Sequence, residues 1–242
     1  MKLSIVIPTK NEEKYLPKLL ESIKKQTFKD YEVIVSDNGS KDKTKEIAGK
    51  YGCKIVKGGL PGRARNRGAK VARGSILLFL DSDTELKTKD FLEKAINEFE
   101  KRKLDIAVPP VYLRGNELDK LYYDFWNKLT KLFQYSLTPF AGGWCIFTKR
   151  EMHNKIMGFD EKITLGEDSD YAQRMVMYKL FKVKLRVLKS VRIQVSMRRF
   201  KKEGHLKVAV QAIGTGLHWA LLGKDKENKF KYRFDIYDNK NK

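Results

Sequence analysis

The stretch Ser75-Ile-Leu-Leu-Phe-Leu-Asp-Ser-Asp83 decides the fold. Its apolar run to Leu80 has the length expected for a strand that is buried on both faces. Two carboxylates, Asp81 and Asp83, follow where that strand ends. In an open α/β sheet, ligands bind at the carboxyl ends of the strands, and a pair of acids there suits Mg²⁺ or Mn²⁺ carrying a phosphate. The alternative is a polar loop that caps a helix beginning near Asp90.

Apolar runs alternate with helical patterns on both sides of this stretch. The order β-α-β-α-β-α-β predicts a mostly parallel central sheet with helices on both faces, an α/β fold. Thr9 or Asn11 is expected to cap the first helix, with Glu12 and Glu13 complementing its dipole. The predicted strands are 3–8, 31–36, 53–57, 75–80 and 105–109, and the predicted helices are 15–23, 42–50, 63–70 and 90–103.

The pattern changes beyond Pro110. Residues 118–135 are rich in aromatic side chains at helical spacing, and 139–147 form a glycine-bearing loop that enters a strand. A second acidic cluster, Gly166-Glu-Asp-Ser-Asp170, precedes a helical segment from 171 to 179. Residues 181–188 alternate apolar and basic side chains, which is typical of an edge strand or a half-exposed strand.

Charge and cysteine usage limit the choice of partners and compartment. The chain of 242 residues has 51 basic and 30 acidic side chains, a net charge of +21. This charge favours anionic partners, such as nucleotides, phospholipid surfaces or nucleic acid, although a Lys-rich thermophilic proteome produces the same excess. Two distant cysteines, with no signal sequence and no long apolar run, predict a cytoplasmic protein without disulfides or a transmembrane helix.

Six short segments, in the family's order, resemble the motifs of glycosyltransferase family 2. The resemblance covers about residues 3 to 200, and Phe200 stands where many members have Trp. The segments are Ile5-Val-Ile-Pro-Thr-Lys-Asn-Glu12, Asp37-Asn-Gly-Ser-Lys-Asp-Lys-Thr44, Gly62-Arg-Ala-Arg-Asn-Arg-Gly68, Asp81-Ser-Asp83, Glu167-Asp168 and Ser196-Met-Arg-Arg-Phe200.

The resemblance implies a GT-A fold and an inverting, metal-assisted glycosyltransferase. Residues 1–110 are then the nucleotide-sugar-binding half, 111–200 the acceptor-binding half, and 201–242 a basic C-terminal helix and tail. The implied donor is a nucleotide diphosphate sugar, with UDP preferred and GDP the main alternative, and the cofactor is Mg²⁺ or Mn²⁺. The acceptor is a saccharide hydroxyl or a lipid phosphate of polyprenyl type. The sugar, the acceptor and the oligomeric state are not decided by the sequence.

The same resemblance assigns roles to residues of the donor site. Asp37 is a candidate acceptor for an N–H of the base, or else a turn residue that bonds its own backbone. Arg63 and Arg65 are candidates to face the diphosphate, with Gly62 allowing close approach, or else part of an exposed basic helix face. The remaining donor-site candidates are Pro8, Thr9, Glu12, Asp81, Ser82, Arg198 and Arg199.

The acidic motifs supply the implied chemistry. Asp83 is the expected metal ligand, and Asp81 holds the metal, a metal-bound water or the ribose. Asp168 is the expected general base for the acceptor hydroxyl, and Glu167 and Asp170 are its competitors. Arg198 and Arg199 either reach the diphosphate or an anionic acceptor, or belong to a solvated basic run. Trp144 either stacks on an acceptor sugar or packs in the core.

Other classes of protein share parts of this pattern. A nucleotidyltransferase also has an acidic metal pair, but its glycine-rich loop is missing after the first strand, where Pro8-Thr-Lys-Asn-Glu-Glu13 stands. A basic nucleic-acid-binding module fits the charge, but the sequence contains none of the usual recognition motifs. An inactive relative that kept the fold is a further alternative. The basic, partly apolar segment 201–223 is predicted either to lie on an anionic membrane or to pack on the catalytic domain.

Overall fold

The structure is a computed structural model that describes residues 1–113, 117–139, 141–178, 182–196, 198 and 204. Its first half alternates strands and helices as the sequence predicts. Helix α3 begins at Pro61 and β4 ends at Leu80, directly before the acidic pair. The elements are β1 (Leu3–Thr9), α1 (Leu16–Lys24), β2 (Tyr31–Asp37), α2 (Thr44–Lys50), β3 (Lys54–Lys57), α3 (Pro61–Val71) and β4 (Ile76–Leu80).

The described part of the second half adds shorter strands and four helices, of which the longest has 17 residues. None of the described helices is both long and apolar enough to cross a bilayer. The elements are β5 (Thr84–Glu85), α4 (Phe91–Lys101), β6 (Ile106–Val108), β7 (Val111–Tyr112), α5 (Glu117–Phe133), β8 (Cys145–Lys149), α6 (Arg150–Lys155), α7 (Glu167–Tyr178), β9 (Leu185–Val187) and β10 (Ile193–Val195).

The central sheet has seven strands in the order β3-β2-β1-β4-β8-β6-β9. The four strands from β3 to β4 are parallel, and β6 pairs with β9 in parallel. Strand β8 runs antiparallel between β4 and β6. The mostly parallel sheet is therefore confirmed, with one antiparallel strand, and β9 lies at the edge as its alternating sequence predicts. A second sheet has the order β5-β10-β7.

Alternate residues of the central strands pack into two separate cores. In β4, Leu78 packs with side chains of α1 and α4 on one face, while Phe79 packs with side chains of α3, α6 and α7 on the other. Because both faces are covered, the strand reads as a continuous apolar run rather than an alternating one. This architecture leaves the carboxyl ends of β1, β2 and β4 as the polar edge of the parallel part of the sheet.

The predicted cap of α1 is wrong. The helix has Tyr15 at its N-cap position and no side-chain cap. Asn11 has a positive φ of 54°, and its side chain accepts a hydrogen bond from the backbone of Lys41 at 2.9 Å. Thr9 instead donates its hydroxyl to Asp37 at 3.2 Å. Thr9 and Asn11 therefore bond to the end of β2 and to the turn that follows it, rather than to α1.

Candidate active site

Site residues from distant parts of the chain meet at the carboxyl ends of the parallel strands. Thr9 and Asp37 are opposite each other in the register of β1 and β2. The backbone N–H of Asp81, just past β4, donates to the carbonyl of Trp144 at 3.1 Å. The acidic pair is therefore not a helix cap, because β5 follows it and α4 begins only at Phe91. This is the edge at which α/β sheets bind ligands.

The Asp37 carboxylate closes a tight turn. One oxygen accepts from the backbone of Ser40 at 2.9 Å, and the other accepts from the hydroxyls of Ser40 and Thr9. The structure thus shows the turn role that the sequence left as an alternative. Contact with a nucleotide base remains a prediction. Pro8 lies in β1 opposite Ser36, one residue before this turn contact.

Arg198 connects the first loop of the chain to the acidic pair. Its two terminal nitrogens donate to the two oxygens of Glu12 at 2.8 and 2.9 Å, and its Nε lies 3.3 Å from Asp83 Oδ2. The guanidinium also lies 4.8 Å from the centre of the Tyr15 ring. Ser82, between the two acids of the pair, is buried. Arg198 therefore belongs to the site by position, whereas Arg199 lies outside the described residues.

Strand β10 fixes the position of Asp83. The Ser196 hydroxyl donates to Asp83 Oδ2 at 2.6 Å, and the Ser196 backbone N–H donates to the Asp83 carbonyl at 3.1 Å. These bonds continue the antiparallel pairing of Val195 with Thr84. The late motif therefore orients the acidic pair through both backbone and side chain.

Arg65 lies between the two acidic clusters. Its side chain is 3% exposed, and it is paired with Asp81 at 3.0 Å and with Glu167 at 2.7 Å. Nη2 also donates to the Gly143 carbonyl at 3.2 Å, and the guanidinium lies 5.4 Å from the centre of the Phe159 ring. Because residues 81 and 167 share one cation, the two acidic motifs belong to a single site. The Gly143 and Phe159 contacts have no signal in the sequence.

Close packing of α3 brings Arg65 to this position. A Cβ at Gly68 would lie 2.3 Å from Val6 Cγ1, so only glycine lets the helix approach β1 this closely. Gly62 faces Phe159 and Glu167, with 3.4 Å between its ideal Cβ and the Phe159 Cβ. Its predicted approach to a diphosphate remains a prediction.

Arg63 points away from the acidic clusters. Its side chain is exposed and pairs with Glu161 at 2.7 Å. It therefore fits the exposed basic helix face that the sequence left as its alternative. The two arginines of one helix thus have different environments, and its role at a diphosphate remains a prediction.

Asp168 lies in the first turn of α7, which begins four residues earlier than the sequence predicts. Its Oδ1 accepts from the backbone N–H of Ser169 at 2.8 Å. Burial, followed by the Glu167 charge, raises the pKa of the Asp168 carboxyl to about 7, with Arg65 acting in the opposite direction. A carboxylate with a raised pKa suits a general base near neutral pH.

Asp170 is held in a structural ion pair. It is buried and lies 2.7 Å from Arg174 Nε. Arg174 also donates to the carbonyls of Ile156 and Gly158 at 2.9 and 2.7 Å. Among the competing acids, Asp170 is tied to the loop before α7, and Glu167 is tied to Arg65. The geometry therefore favours Asp168 as the base.

Trp144 packs against the core beneath the site. Its ring lies 6.0 Å from that of Tyr123 in an edge-to-face arrangement and contacts the core cluster of α1 and α4. The structure thus shows the core role, and stacking on an acceptor sugar remains a prediction.

Asp81 and Asp83 are the candidate ligands of a divalent cation, and in the structure each is paired with an arginine, Asp81 with Arg65 and Asp83 with Arg198. Among the residues that the structure describes, no group of three or more His, Cys, Asp or Glu side chains forms a complete metal site. Mg²⁺ and Mn²⁺ are commonly held by one or two carboxylates with the substrate's phosphates completing the shell. Asp81 and Asp83 fit that mode, because both are oxygen donors and both are only half-buried.

The sequence assigns no role to His153, but its environment in the structure should make the stability of the protein depend on pH. It is buried beneath the site, with Nδ1 3.0 Å from the Tyr171 hydroxyl. Burial, with a smaller effect of Arg174, lowers the pKa of His153 to about 4. In the unfolded chain His153 takes up a proton near pH 6.5, whereas in the folded protein it stays neutral until about pH 4. The contribution of this group to the free energy of unfolding is therefore fully present above pH 6.5 and should fall by about 3 kcal/mol between that pH and pH 4.

Urea unfolding of the wild type and His153→Gln at pH 7 and pH 4 measures this effect. The difference in unfolding free energy between the two pH values should be smaller in the variant, because other groups titrate alike in both proteins. An equal pH dependence in both proteins would contradict the assignment.

Comparisons with known proteins identify a family and several relatives of this chain. Residues 4–157 match the family described as Glycosyl transferase family 2. A *Staphylococcus aureus* poly(ribitol-phosphate) beta-N-acetylglucosaminyltransferase, TarS, is 37% identical over 118 residues, covering 45% of this chain and 20% of the relative. The *Bacillus subtilis* minor teichoic acid biosynthesis protein GgaB is 30% identical over 193 residues, covering 73% and 21%. The chain thus matches about a fifth of each of these relatives.

Two solved structures have the same architecture. *S. aureus* TarS 1–349 in complex with UDP-GlcNAc has a TM-score of 0.64 and 26% identity, covering 81% of this chain and 58% of that chain. A mannosyltransferase from *Pyrobaculum calidifontis* in complex with GDP-Man and Mn²⁺ has a TM-score of 0.67 and 20% identity, covering 88% and 64%. The second likeness shows the fold alone.

Proposed function

Since the chain belongs to glycosyltransferase family 2 and has the GT-A fold, we propose that it transfers a sugar from a UDP-sugar to an acceptor hydroxyl or lipid phosphate with inversion of the anomeric centre. The observation that carries the proposal is the shared contact of Arg65 with Asp81 and Glu167. This contact places Asp81, assigned to the donor site, and Glu167, in the motif of the candidate base, on either side of the Arg65 guanidinium. A transferase needs its leaving diphosphate and its base close together in this way.

The donor end of the site is assigned to the loops after β1, β2 and β4. Thr9, Glu12 and Asp37 line the side assigned to the nucleotide. Asp81 and Asp83 are assigned to a divalent cation, which when bound supplies positive charge to the leaving diphosphate. UDP is preferred to GDP because the TarS structure with 26% identity is a UDP-GlcNAc complex. Arg198 is assigned to the diphosphate, for which it would leave Glu12.

The acceptor end is assigned to the start of α7. Asp168 takes the proton of the acceptor hydroxyl as that oxygen attacks the anomeric carbon from the face opposite the diphosphate. A direct displacement of this kind inverts the anomeric centre. The proposed acceptor for this step is a saccharide hydroxyl. A polyprenyl phosphate is the alternative acceptor, and it would attack through an already ionised phosphate oxygen without transferring a proton to Asp168. Family membership favours this chemistry over the nucleotidyltransferase and nucleic-acid-binding alternatives.

We propose a cytoplasmic location, with contact to the inner face of the membrane through the basic segment 201–223. The motivating feature is its composition, in which Lys201, Lys202 and Lys207 precede an apolar stretch that contains Val208, Ile213 and Leu217. Apart from Gly204, this segment lies outside the described residues. The alternative, packing on the catalytic domain, stays open.

A thermal-shift panel tests the donor site. UDP with Mn²⁺ or Mg²⁺ is expected to raise the melting temperature, because a ligand of the folded state stabilises by about 2.7 kcal/mol at a hundredfold excess over its dissociation constant. GDP, CDP and dTDP should give smaller shifts. EDTA and Asp83→Ala should each abolish the shift, since both remove the assigned cation site.

Asp30→Ala is the matched control, because this exposed acid precedes β2 at the opposite edge of the sheet. It should keep the full shift with UDP. A UDP shift that survives both EDTA and Asp83→Ala would refute metal-assisted donor binding. The absence of a shift with every nucleotide would favour an inactive relative.

A further inference from the structure

Helix α5 exposes a stripe of large apolar side chains. Leu118, Leu121, Phe125 and Leu132 are 65%, 68%, 56% and 69% exposed. Their spacings of three, four and seven residues place them on one face of the helix. Just beyond the end of the helix, Tyr135 and Leu137 are also exposed. We call these six residues the α5 stripe.

The stripe is not the face with which α5 packs on the protein. Tyr123 is buried, and it lies about 200° around the helix from Leu121 at 100° per residue. On the packed side, Asn127 accepts from the Val111 N–H at 2.9 Å and donates to the Val111 carbonyl at 2.8 Å. These bonds fix the rotation of the helix relative to β7. The stripe therefore faces outward, where an ordinary surface helix carries polar side chains.

Basic groups surround the C-terminal half of the stripe. Lys128 and Lys131 are exposed on the helix. The Arg186 guanidinium lies 4.2 Å from the centre of the Tyr135 ring, and Lys184 is two residues earlier in the chain at the start of edge strand β9. The acids of α5 do not cancel this charge, because they lie in its N-terminal half. They are Glu117, which pairs with Lys120, the buried Asp119, and Asp124.

We propose that the α5 stripe is a membrane-docking surface for a bilayer with anionic headgroups. The apolar side chains enter the boundary between headgroups and acyl chains, and the surrounding cations contact the lipid phosphates. A second copy of the chain fits less well, because a symmetric contact would oppose the same lysines in a protein of net charge +21. This surface differs from segment 201–223 and does not depend on the reaction.

Vesicle flotation of the full chain tests the proposal. Wild type should float with vesicles that contain phosphatidylglycerol and bind more weakly to vesicles of phosphatidylcholine alone. Leu121→Ser with Leu132→Ser should lower the partition coefficient by about tenfold or more, because two apolar side chains no longer enter the bilayer. Exposed residues are replaced, so the melting temperature should not change. Met157→Ser with Met177→Ser, two exposed methionines elsewhere, should bind as wild type.

Three results would overturn the proposal. In the first, the α5 variant and wild type bind vesicles equally, and a chain that ends at Lys202 does not bind. This result would assign the membrane contact to segment 201–223. Another is recovery of wild type in the soluble fraction with every vesicle. The third is a wild-type dimer in gel filtration that the α5 variant converts to a monomer, without vesicle binding, which would assign the stripe to a second copy.

Discussion

Asp168→Asn is expected to lower kcat by a factor of about 10² to 10⁴, the usual contribution of general base catalysis. The amide keeps the shape of the side chain but cannot accept the proton of the acceptor hydroxyl. Donor binding should persist, because the assigned nucleotide and cation residues come from other loops. Single-turnover transfer with the donor identified by thermal shift measures the chemical step, and the UDP shift itself measures binding.

The pH dependence of kcat is a second property of the same group. Burial and the Glu167 charge raise the pKa of Asp168 to about 7. A base must be deprotonated to act, so wild-type kcat should rise with pH up to about that value and then level off. The low residual activity of Asp168→Asn should lack this acid limb.

Asp170→Asn separates the two candidate bases. Asp170 is buried in its pair with Arg174, so its loss should lower the melting temperature and leave the kcat of the folded enzyme close to wild type. A large loss of kcat in Asp170→Asn, with Asp168→Asn nearly active, would transfer the base role to Asp170.

The elements of the parallel half were predictable because their signals are local. The apolar run before Asp81 and the helical spacing of α1 each depend on a few neighbouring residues. The antiparallel insertion of β8 between β4 and β6 was not predictable, since strand order depends on contacts between residues that are 40 to 73 positions apart in the chain. The prediction of a side-chain cap for α1 was wrong for a related reason. Asn11 bonds Lys41 in the next loop rather than its own helix.

The site shows the same division. Motifs single out Asp81, Asp83 and Asp168 as candidates, because the first two follow a recognisable strand and the third lies at the start of a helical segment. Ion pairs across long separations were not predictable, and Arg65 is the clearest case. In the sequence it is one of three arginines on a basic helix, and nothing local distinguishes it from the exposed Arg63. Its burial depends on the close contact of α3 with β1.

Arg65→Met is expected to lower the free energy of unfolding by about 3–5 kcal/mol, the usual cost of removing one partner of a buried ion pair. Arg65 is paired with both Asp81 and Glu167, and methionine leaves those carboxylates without their cation. Arg65→Lys should lose less, because a cation remains, but the forked contact with two acids is lost. Urea unfolding at pH 8 measures both variants. Arg63→Met, which changes an exposed pair on the same helix, should cost about 1 kcal/mol or less.

The acid limb of kcat distinguishes a positioning role for Arg65 from contact with the diphosphate. Because the Arg65 charge lowers the pKa of Asp168, its removal should move the acid limb to higher pH, and UDP should still shift the melting temperature of the folded variant. A residue that binds the diphosphate would show the reverse: the UDP shift would disappear, while the acid limb and the unfolding free energy stayed near their wild-type values. That second result would support the contact between Arg65 and the diphosphate that the sequence suggested. It would contradict the proposal that Arg65 couples the two acidic clusters.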